Sequence, residues 1–211
     1  MSPVSLKVSV PFCSFRKANA REFLESERFP PPATVYGFLL SLVGEEDRRS
    51  YIGTRIALAL LNEPKSSLLL RTMWRVKNRK LPSGVGANKR PDYQEVLSGL
   101  MIGVWVDEGP LAERIKTVRE HPESIDRFGG LSLGESRDLV NDVYFEPPWA
   151  GECRWLVPDE KGQYPLPVWV DHVGSKKTVW MQFSVENGVL EQPEPKDKRW
   201  IHIKPANDLS L

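Results

Sequence analysis

The sequence lacks the long apolar runs and the cysteine pairs that mark membrane-spanning and secreted proteins. No segment approaches the roughly 18 consecutive apolar residues of a membrane span, and the N-terminus carries no basic segment followed by an apolar one. Cys13 and Cys153 are far apart, and neither has further metal-ligating residues at a useful spacing. Isolated cysteines favour a reducing compartment over a disulfide framework. We therefore predict a cytoplasmic protein with no membrane partner.

The chain also lacks a large net charge, a histidine cluster and a nucleotide-binding motif. Its formal net charge is +1, so a nucleic-acid partner would have to bind a local basic patch. The three histidines, at positions 121, 172 and 202, are scattered. A glycine cluster at residues 129–134 matches neither the phosphate loop nor the dinucleotide fingerprint. The sequence thus predicts no metal and no cofactor, and nucleotide hydrolysis and dehydrogenase chemistry are disfavoured.

Hydrophobic spacing predicts alternating strands and helices along the first two thirds of the chain. Apolar residues at every second position from 4 to 10 indicate a strand with one buried face. Pro32 is well placed to begin a helix, and Gly44 to end it. The apolar run at 56–61 fits a strand or a helix end, and we favour the strand. A strand at 100–106, a helix around residues 111–118 and a strand around residues 139–145 follow.

This order of elements is strand, helix, strand, strand, helix, strand, which is the ferredoxin-like (RRM-like) order with one surplus strand. We therefore predict an α+β fold. After Pro148 the composition changes to short Trp-rich and Val-rich runs, broken by proline and glycine, which indicates a small β-rich C-terminal part. The predicted division is a ferredoxin-like domain over residues 1–146, with a projecting basic hairpin at about 71–97, and a small appendage over residues 147–211.

The basic hairpin is the first unusual segment. Residues 66–90 contain no acidic residue, and the region carries seven positive charges besides Lys65. Leu68, Leu70 and Trp74 alternate with the basic residues, so one face of the strand is predicted to be core and the other a basic surface. Two interpretations stay open at this point: an ordinary basic surface hairpin, or a finger that binds nucleic acid. Trp74 and Tyr93 have the same ambiguity, because they could stack on bases or pack in the core.

The second unusual segment is the glycine-rich stretch at residues 126–142. Glycine allows backbone conformations and close approach that other residues do not, so such a cluster exposes N–H groups to a turn, to another backbone or to an anion. A tight structural turn before a strand is the simpler interpretation. An anion-binding loop is the alternative, and charged flanking residues on both sides are compatible with it.

Three segments together resemble a known family. They are PFCSFRKANAREFLESERFPPPATVYGFLLSLVGEE, RTMWRVKNRK and RFGGLSLGESRDLV, and the resemblance covers residues 4–145. The chain is similar to the Cas-five family, the RAMP-type subunit of CRISPR Cascade surveillance complexes. The resemblance implies a ferredoxin-like RAMP domain with a thumb hairpin, at about residues 71–90. It implies a ribonucleoprotein role in antiviral defence or RNA-guided targeting, in which the subunit caps the 5′ handle of the guide RNA (crRNA).

The same resemblance implies partners and a site. The partners are the crRNA 5′ handle, the Cascade backbone RAMP subunits, the large subunit, and target DNA near the protospacer-adjacent motif. Phosphate-binding cations, glycine-rich bends and aromatic faces are the features that hold a single-stranded RNA end. The predicted RNA-binding residues are Arg16, Lys17, Arg71, Trp74, Arg75, Lys77, Arg79, Lys80, Lys89, Arg90, Arg127, Gly129, Gly130, Ser132, Gly134, Ser136 and Arg137.

The alternative function is a metal-independent endoribonuclease that processes CRISPR precursor RNA, because some branches of the family have this activity. Such a reaction needs a base for the ribose 2′-hydroxyl and a group that stabilises developing charge, typically His, Tyr or Lys close together. His121, His172 and His202 form no convincing constellation of this kind. We therefore predict that the protein is not an enzyme, and assign no catalytic residue. An RNA binder acting alone is also disfavoured, because the paired aromatic motif of an RRM is missing.

Overall fold

The structure, a computed structural model, describes residues 2–171 and 178–206. Its strands are β1 (Val4–Cys13), β2 (Phe23–Leu24), β3 (Arg55–Leu60), β4 (Lys65–Trp74), β5 (Lys89–Val106), β6 (Asp142–Phe145), β7 (Glu152–Pro158), β8 (Tyr164–Trp169), β9 (Val179–Val189) and β10 (Ile201–His202). Its α-helices are α1 (Pro32–Val43) and α2 (Pro110–Glu120). Within the described ranges, neither helix is long and apolar enough to cross a membrane.

The strands form one sheet with the order β6-β1-β5-β3-β7-β9-β8, while β2 and β4 pair with β5, and β10 pairs with β3. The pairs are antiparallel, except that β2 runs parallel to β5. The predicted mixed fold is confirmed at this level: a mostly antiparallel sheet with two helices. The apolar run at 56–61 is confirmed as a strand, because residues 55–60 form β3 between β5 and β7.

The first strand and helix form where the sequence pattern places them. Val8 and Val10 lie on the buried face of β1, in line with the predicted alternation. Pro32 is the first residue of α1, where its missing N–H costs nothing. Gly44 ends the helix with φ 72°, and a Cβ at this position would lie 2.7 Å from the carbonyl oxygen of Asp126. Glycine is therefore required there by both backbone conformation and space.

Two hydrophobic clusters cover the two faces of the sheet. The main core joins α1 and α2 to the apolar faces of β1, β3 and β5. On the opposite face, Trp105 stacks between Trp149 and Trp155, with ring centroids 4.5 Å apart in both pairs. Arg199 lies over Trp155 at 4.3 Å and completes this second cluster from the C-terminal side.

The strands after residue 147 extend the same sheet through the β3–β7 pair. Leu156, Phe183 and Ile201 from these strands are fully buried in the main core. The boundary at residue 146 remains a prediction about how the chain divides.

The hairpin of β4 and β5 differs from its predicted packing. Residues 65–98, here called the arm, comprise β4, the loop 75–88 and the first half of β5. Leu68, Leu70 and Trp74, predicted to lie on a core face, are 64%, 60% and 71% exposed. That prediction is wrong, because these three side chains belong to neither of the two hydrophobic clusters of the described chain. The 18-residue β5 continues from the arm into the centre of the sheet, past Gly99 with φ 71°.

Candidate nucleic-acid interface

The far half of the arm carries exposed cations. Lys77, Arg79, Lys80 and Lys89 are exposed, and all four lie in or beside the loop 75–88. Arg75 is also exposed, and its Nε donates a hydrogen bond to the carbonyl of Ala87 at 3.3 Å. Five exposed positive side chains on one short segment form a local basic patch on a nearly neutral protein.

Asn88, which the sequence prediction did not single out, organises the loop at the end of the arm. Its side chain is buried, its Oδ1 accepts hydrogen bonds from the backbone N–H groups of Lys77 and Asn78 at 2.8 and 2.7 Å, and its Nδ2 donates to the carbonyls of Asn78 and Leu81. The loop is therefore a hydrogen-bonded turn with its cations on the outside. An amide that bridges its own loop leaves no periodic signal in a sequence.

Trp74 lies against the same loop. A Cβ on Gly84 would be 2.7 Å from the indole of Trp74, so the ring contacts the glycine backbone directly. With 71% of its surface exposed, the indole is not part of the core. Its outer face is free to stack on a planar group.

The base of the arm meets the glycine-rich stretch at Gln94. This amide is fully buried, and its Oε1 accepts hydrogen bonds from Arg71 Nη1 and from Arg137 Nη2, the latter at 2.6 Å. Its Nε2 donates to Glu135 Oε1 at 2.8 Å. Glu135 in turn pairs with Arg137 at 3.0 Å and with Arg71 at 3.4 Å. Four side chains from two distant segments thus form one network.

Asp138 fixes the glycine-rich stretch to the end of β1. Its Oδ2 accepts hydrogen bonds from the backbone N–H groups of Ser14 at 2.9 Å and Glu135 at 2.8 Å. Burial raises the pKa of Asp138 above its ordinary value, and the two backbone donors act in the opposite direction. The turn therefore has a defined position relative to β1 and the arm.

The three glycines of the predicted site have different roles. Gly134 has φ 123°, and a Cβ there would lie 2.6 Å from Asp138 Oδ2 and 3.0 Å from the carbonyl oxygen of Ser14. Gly129 has φ 84° and open space around it. Gly130 lies outside the left-handed region, and a Cβ there would lie 3.2 Å from a methyl group of Leu139. Gly134 thus serves close packing, whereas Gly129 leaves the backbone accessible.

The other predicted residues lie around these elements with partners of their own. Arg16 Nη2 donates to the carbonyl of Ala20 at 2.8 Å, Lys17 lies 3.8 Å from Glu25, and Arg90 pairs with Asp92 at 2.6 Å. Arg127 Nε donates to the carbonyl of Gly129, and its Nη1 to that of Ser41. Ser132 forms a β-bridge with Leu139, and Ser136 is exposed. Of the predicted cations, those at the end of the arm are thus the most available to a ligand.

The two histidines in the described part of the chain lie on separate elements. His121 follows α2 and contacts Glu123 at 3.1 Å. His202 lies in β10, and burial, followed by the positive charges of Arg55 and Lys204, lowers its pKa. His172 lies outside the described residues, as do Lys176 and Lys177.

The two cysteines are buried and unpaired with each other. Burial, with a smaller contribution from Asp138, raises the pKa of Cys13 to about 12. Burial also raises the pKa of Cys153 to about 11. In the described ranges no group of three or more His, Cys, Asp or Glu side chains is placed to hold a metal ion.

The sequence and the fold are both similar to those of CRISPR-associated proteins. The chain is 44% identical over 201 residues to the CRISPR-associated protein Cas5 of Myxococcus xanthus (strain DK1622), covering 90% of this chain and 93% of that protein. A solved structure described as a CRISPR RNA-guided surveillance complex has a TM-score of 0.64 at 14% identity, covering 94% and 96% of the two chains. The crystal structure of a Cas protein has a TM-score of 0.53 at 13% identity, covering 89% and 94%. No protein-family model matches the chain.

Proposed function

Because the chain belongs to the Cas5 family of CRISPR-associated proteins, we propose that it binds and caps the 5′ handle of the crRNA as a subunit of a Cascade complex. The observation that carries this proposal is the junction at Gln94, where the base of the basic arm and the glycine-rich stretch form one hydrogen-bonded network. Two segments that separately resemble RNA-binding elements are thereby held in one rigid arrangement.

The topology supports a ferredoxin-like RAMP domain with the arm as its thumb. The strands β1, β3, β5 and β6 alternate with α1 and α2 in the βαββαβ order, and their spatial order is β6-β1-β5-β3. The arm is then an extension of the connection between the second and third strands of this unit. The strands β7, β8, β9 and β10 form the proposed C-terminal part, residues 147–211.

The face of the sheet that could bind RNA is covered by other side chains, so the arm is the better candidate for the RNA-binding surface. RNA-recognition domains of the RRM type stack bases on aromatic residues of the open sheet face. Here the aromatic residue of β5 on that face, Trp105, is fully buried beneath Trp149. On the arm, by contrast, Trp74 and Tyr93 are 71% and 54% exposed.

The structure separates two kinds of cation within the proposed site. Lys77, Arg79, Lys80 and Lys89 are exposed at the end of the arm and suit phosphate binding. Arg71 is already engaged by Gln94 and Glu135, so we propose that it positions the glycine-rich stretch, as Arg137 does. About four phosphate contacts imply a logarithmic salt dependence with a slope near −3, at about 0.7 per phosphate of a single strand.

Binding of RNA as a function of salt concentration tests the proposal. The purified chain is titrated with a crRNA that carries its 5′ repeat-derived segment, and with the same RNA lacking that segment. We expect a slope near −3 and tighter binding of the RNA with the handle, because the network at Gln94 presents a shaped site besides charge. A slope near zero, or equal affinity for the two RNAs, would contradict handle binding.

The remaining partners and the lack of catalysis are proposals on the same basis. We propose contacts with the backbone RAMP subunits, with the large subunit and with target DNA near the protospacer-adjacent motif, in antiviral defence or RNA-guided targeting. We also propose that the subunit binds RNA without cleaving it. His121 and His202 support this by their placement at the end of α2 and in β10, away from the arm.

A further inference from the structure

A cavity of about 970 Å³ opens between the segment 17–28 and the strands β8 and β9. Its lining joins the loop after β1 to the C-terminal part of the sheet, and neither the arm cations nor the glycine-rich stretch contribute to it. This volume is in the range of sites that bind small planar ligands. Lys17, one of the predicted RNA-binding residues, lines one side of it.

Three aromatic side chains line this cavity. Phe23, Tyr164 and Trp180 are 42%, 39% and 46% exposed, so each ring offers a surface that no other described part of the chain covers fully. Phe23 is the strand partner of Tyr93 at the base of the arm, and the cavity therefore adjoins the proposed RNA-binding surface. Aromatic rings around a half-open cavity suit a flat ring that stacks between them.

Glu95 and Glu27 both line the cavity, and they differ in the number of hydrogen bonds that their carboxylates accept. Glu95 accepts hydrogen bonds from Ser26 N at 3.0 Å and Ser66 Oγ at 2.6 Å, and Arg28 lies within 3.4 Å. Although burial alone would raise the pKa of Glu95, these partners lower it below its ordinary value. Glu95 is thus satisfied within the protein and has no need of a ligand.

Glu27 is the contrasting case. It is half-buried beside the cavity, and among the described residues no hydrogen bond reaches its carboxylate. Burial raises the pKa of Glu27, and Lys17 only partly opposes this. The two oxygens of the Glu27 carboxylate are thus available to a ligand, and one that supplies two N–H groups would pair with both.

We propose that this cavity binds an unpaired guanine base, with its ring stacked on the aromatic side chains and its Watson–Crick edge on the Glu27 carboxylate. Guanine presents two parallel donors on that edge, N1–H and the N2 amine, which match the two acceptor oxygens of a carboxylate. Adenine and cytosine place an acceptor beside their amine, and uracil offers one donor between two acceptors. The proposal rests on the proposed function in one respect: the guanine belongs to the RNA end that the arm holds.

Calorimetric titration of the full chain with GMP, IMP and AMP tests the cavity without any RNA. IMP differs from GMP only by the N2 amine, so both nucleotides carry the same phosphate. We expect saturable GMP binding, with IMP and AMP at least about tenfold weaker, as for other bidentate base contacts. Glu27→Gln and Trp180→Ala should each weaken GMP binding about tenfold or more. Glu22→Gln, an exposed glutamate of the same segment outside the cavity lining, should leave it unchanged.

Equal affinity for GMP and IMP, or unchanged GMP binding by Glu27→Gln, would overturn the proposal. Thermal melting of each variant distinguishes loss of the site from loss of the fold. Loss of GMP binding supports the cavity only in a variant whose melting temperature equals that of the wild-type chain.

RNA binding separates this proposal from the proposed function. The full chain is titrated with a uridine octamer in which a single guanosine occupies each position in turn. We expect one position at which guanosine tightens binding at least about tenfold, and Glu27→Gln should remove that preference while the all-uridine affinity stays the same. Salt-dependent RNA binding with no guanosine preference would refute the cavity proposal and leave handle binding intact. If the chain binds GMP but has equal affinity for RNAs with and without the handle, handle binding is refuted and the cavity proposal stands.

Discussion

Replacing Arg71 by alanine should damage the protein in a different way from replacing Lys77, although both are cations of the arm. Arg71 Nη1 donates to the buried oxygen of Gln94 and lies 3.4 Å from Glu135. The side chain of Lys77 is exposed. The first substitution therefore removes an internal partner, and the second removes only surface charge.

The expected loss of stability in Arg71→Ala depends on the hydrogen bonds that Gln94 keeps once Arg71 is removed. Removing one partner of a buried polar group costs about 1–3 kcal/mol. The Gln94 oxygen keeps its hydrogen bond from Arg137 at 2.6 Å, so the free energy of unfolding should fall by an amount near the lower limit, about 1 kcal/mol. In a chain of this size that lowers the melting temperature by roughly 2–4 °C. Lys77→Ala should change the free energy of unfolding by less than about 0.5 kcal/mol.

The salt slope of RNA binding should instead respond to Lys77→Ala and not to Arg71→Ala. Lys77→Ala should lower the salt slope of RNA binding by about 0.7, because one phosphate contact is lost. Arg71→Ala should weaken handle binding with the slope unchanged, because the glycine-rich stretch loses one of its attachments to the arm. Melting curves and salt titrations of both variants provide the test. If Arg71→Ala melts like the wild-type chain and lowers the slope, Arg71 is a phosphate ligand and the positioning role is refuted.

Two further predictions concern the glycine-rich stretch and catalysis. Gly134→Ala should lower the free energy of unfolding by more than Gly129→Ala, as measured by urea denaturation. The positive φ costs each variant about 1–3 kcal/mol. The added methyl group at position 134 would also collide with Asp138 and Ser14, whereas the one at position 129 has open space. Equal losses would show that the contact with Asp138 is easily relieved. Incubation of the purified chain with labelled repeat RNA in chelator should give no discrete product; a product that disappears in His121→Ala would establish the nuclease instead.

Local patterns predict those elements whose burial follows a simple period. The alternation at 4–10 predicts β1, and Pro32 with Gly44 defines α1, because strand period and helix termini depend on nearby residues. The exposed face of the arm could not be predicted in this way. Alternation at Leu68 and Leu70 indicates that one face is apolar, and it carries no information on what covers that face.

The sequence predicts the candidate site by residue type and not by role. Clustering of cations in the sequence singles out Lys77 and Lys89, which are exposed, and their role in RNA binding stays a prediction. The network at Gln94 was missed, because its partner Glu135 is 41 positions away and no local signal marks a neutral amide that joins two segments. Asn88 was missed for a related reason: its hydrogen bonds are visible only once the loop is closed.

The continuity of β5 determines how the arm is mounted. This strand of 18 residues has a contour length of roughly 60 Å at about 3.3 Å per residue, and its inner half pairs with β1 on one side and β3 on the other. The arm is therefore continuous with a strand in the middle of the sheet, and Gly99, at φ 71°, lies between the arm and the inner half of β5. A force applied by RNA at the tip is transmitted along β5 into the centre of the sheet, and through the network at Gln94 into the glycine-rich stretch.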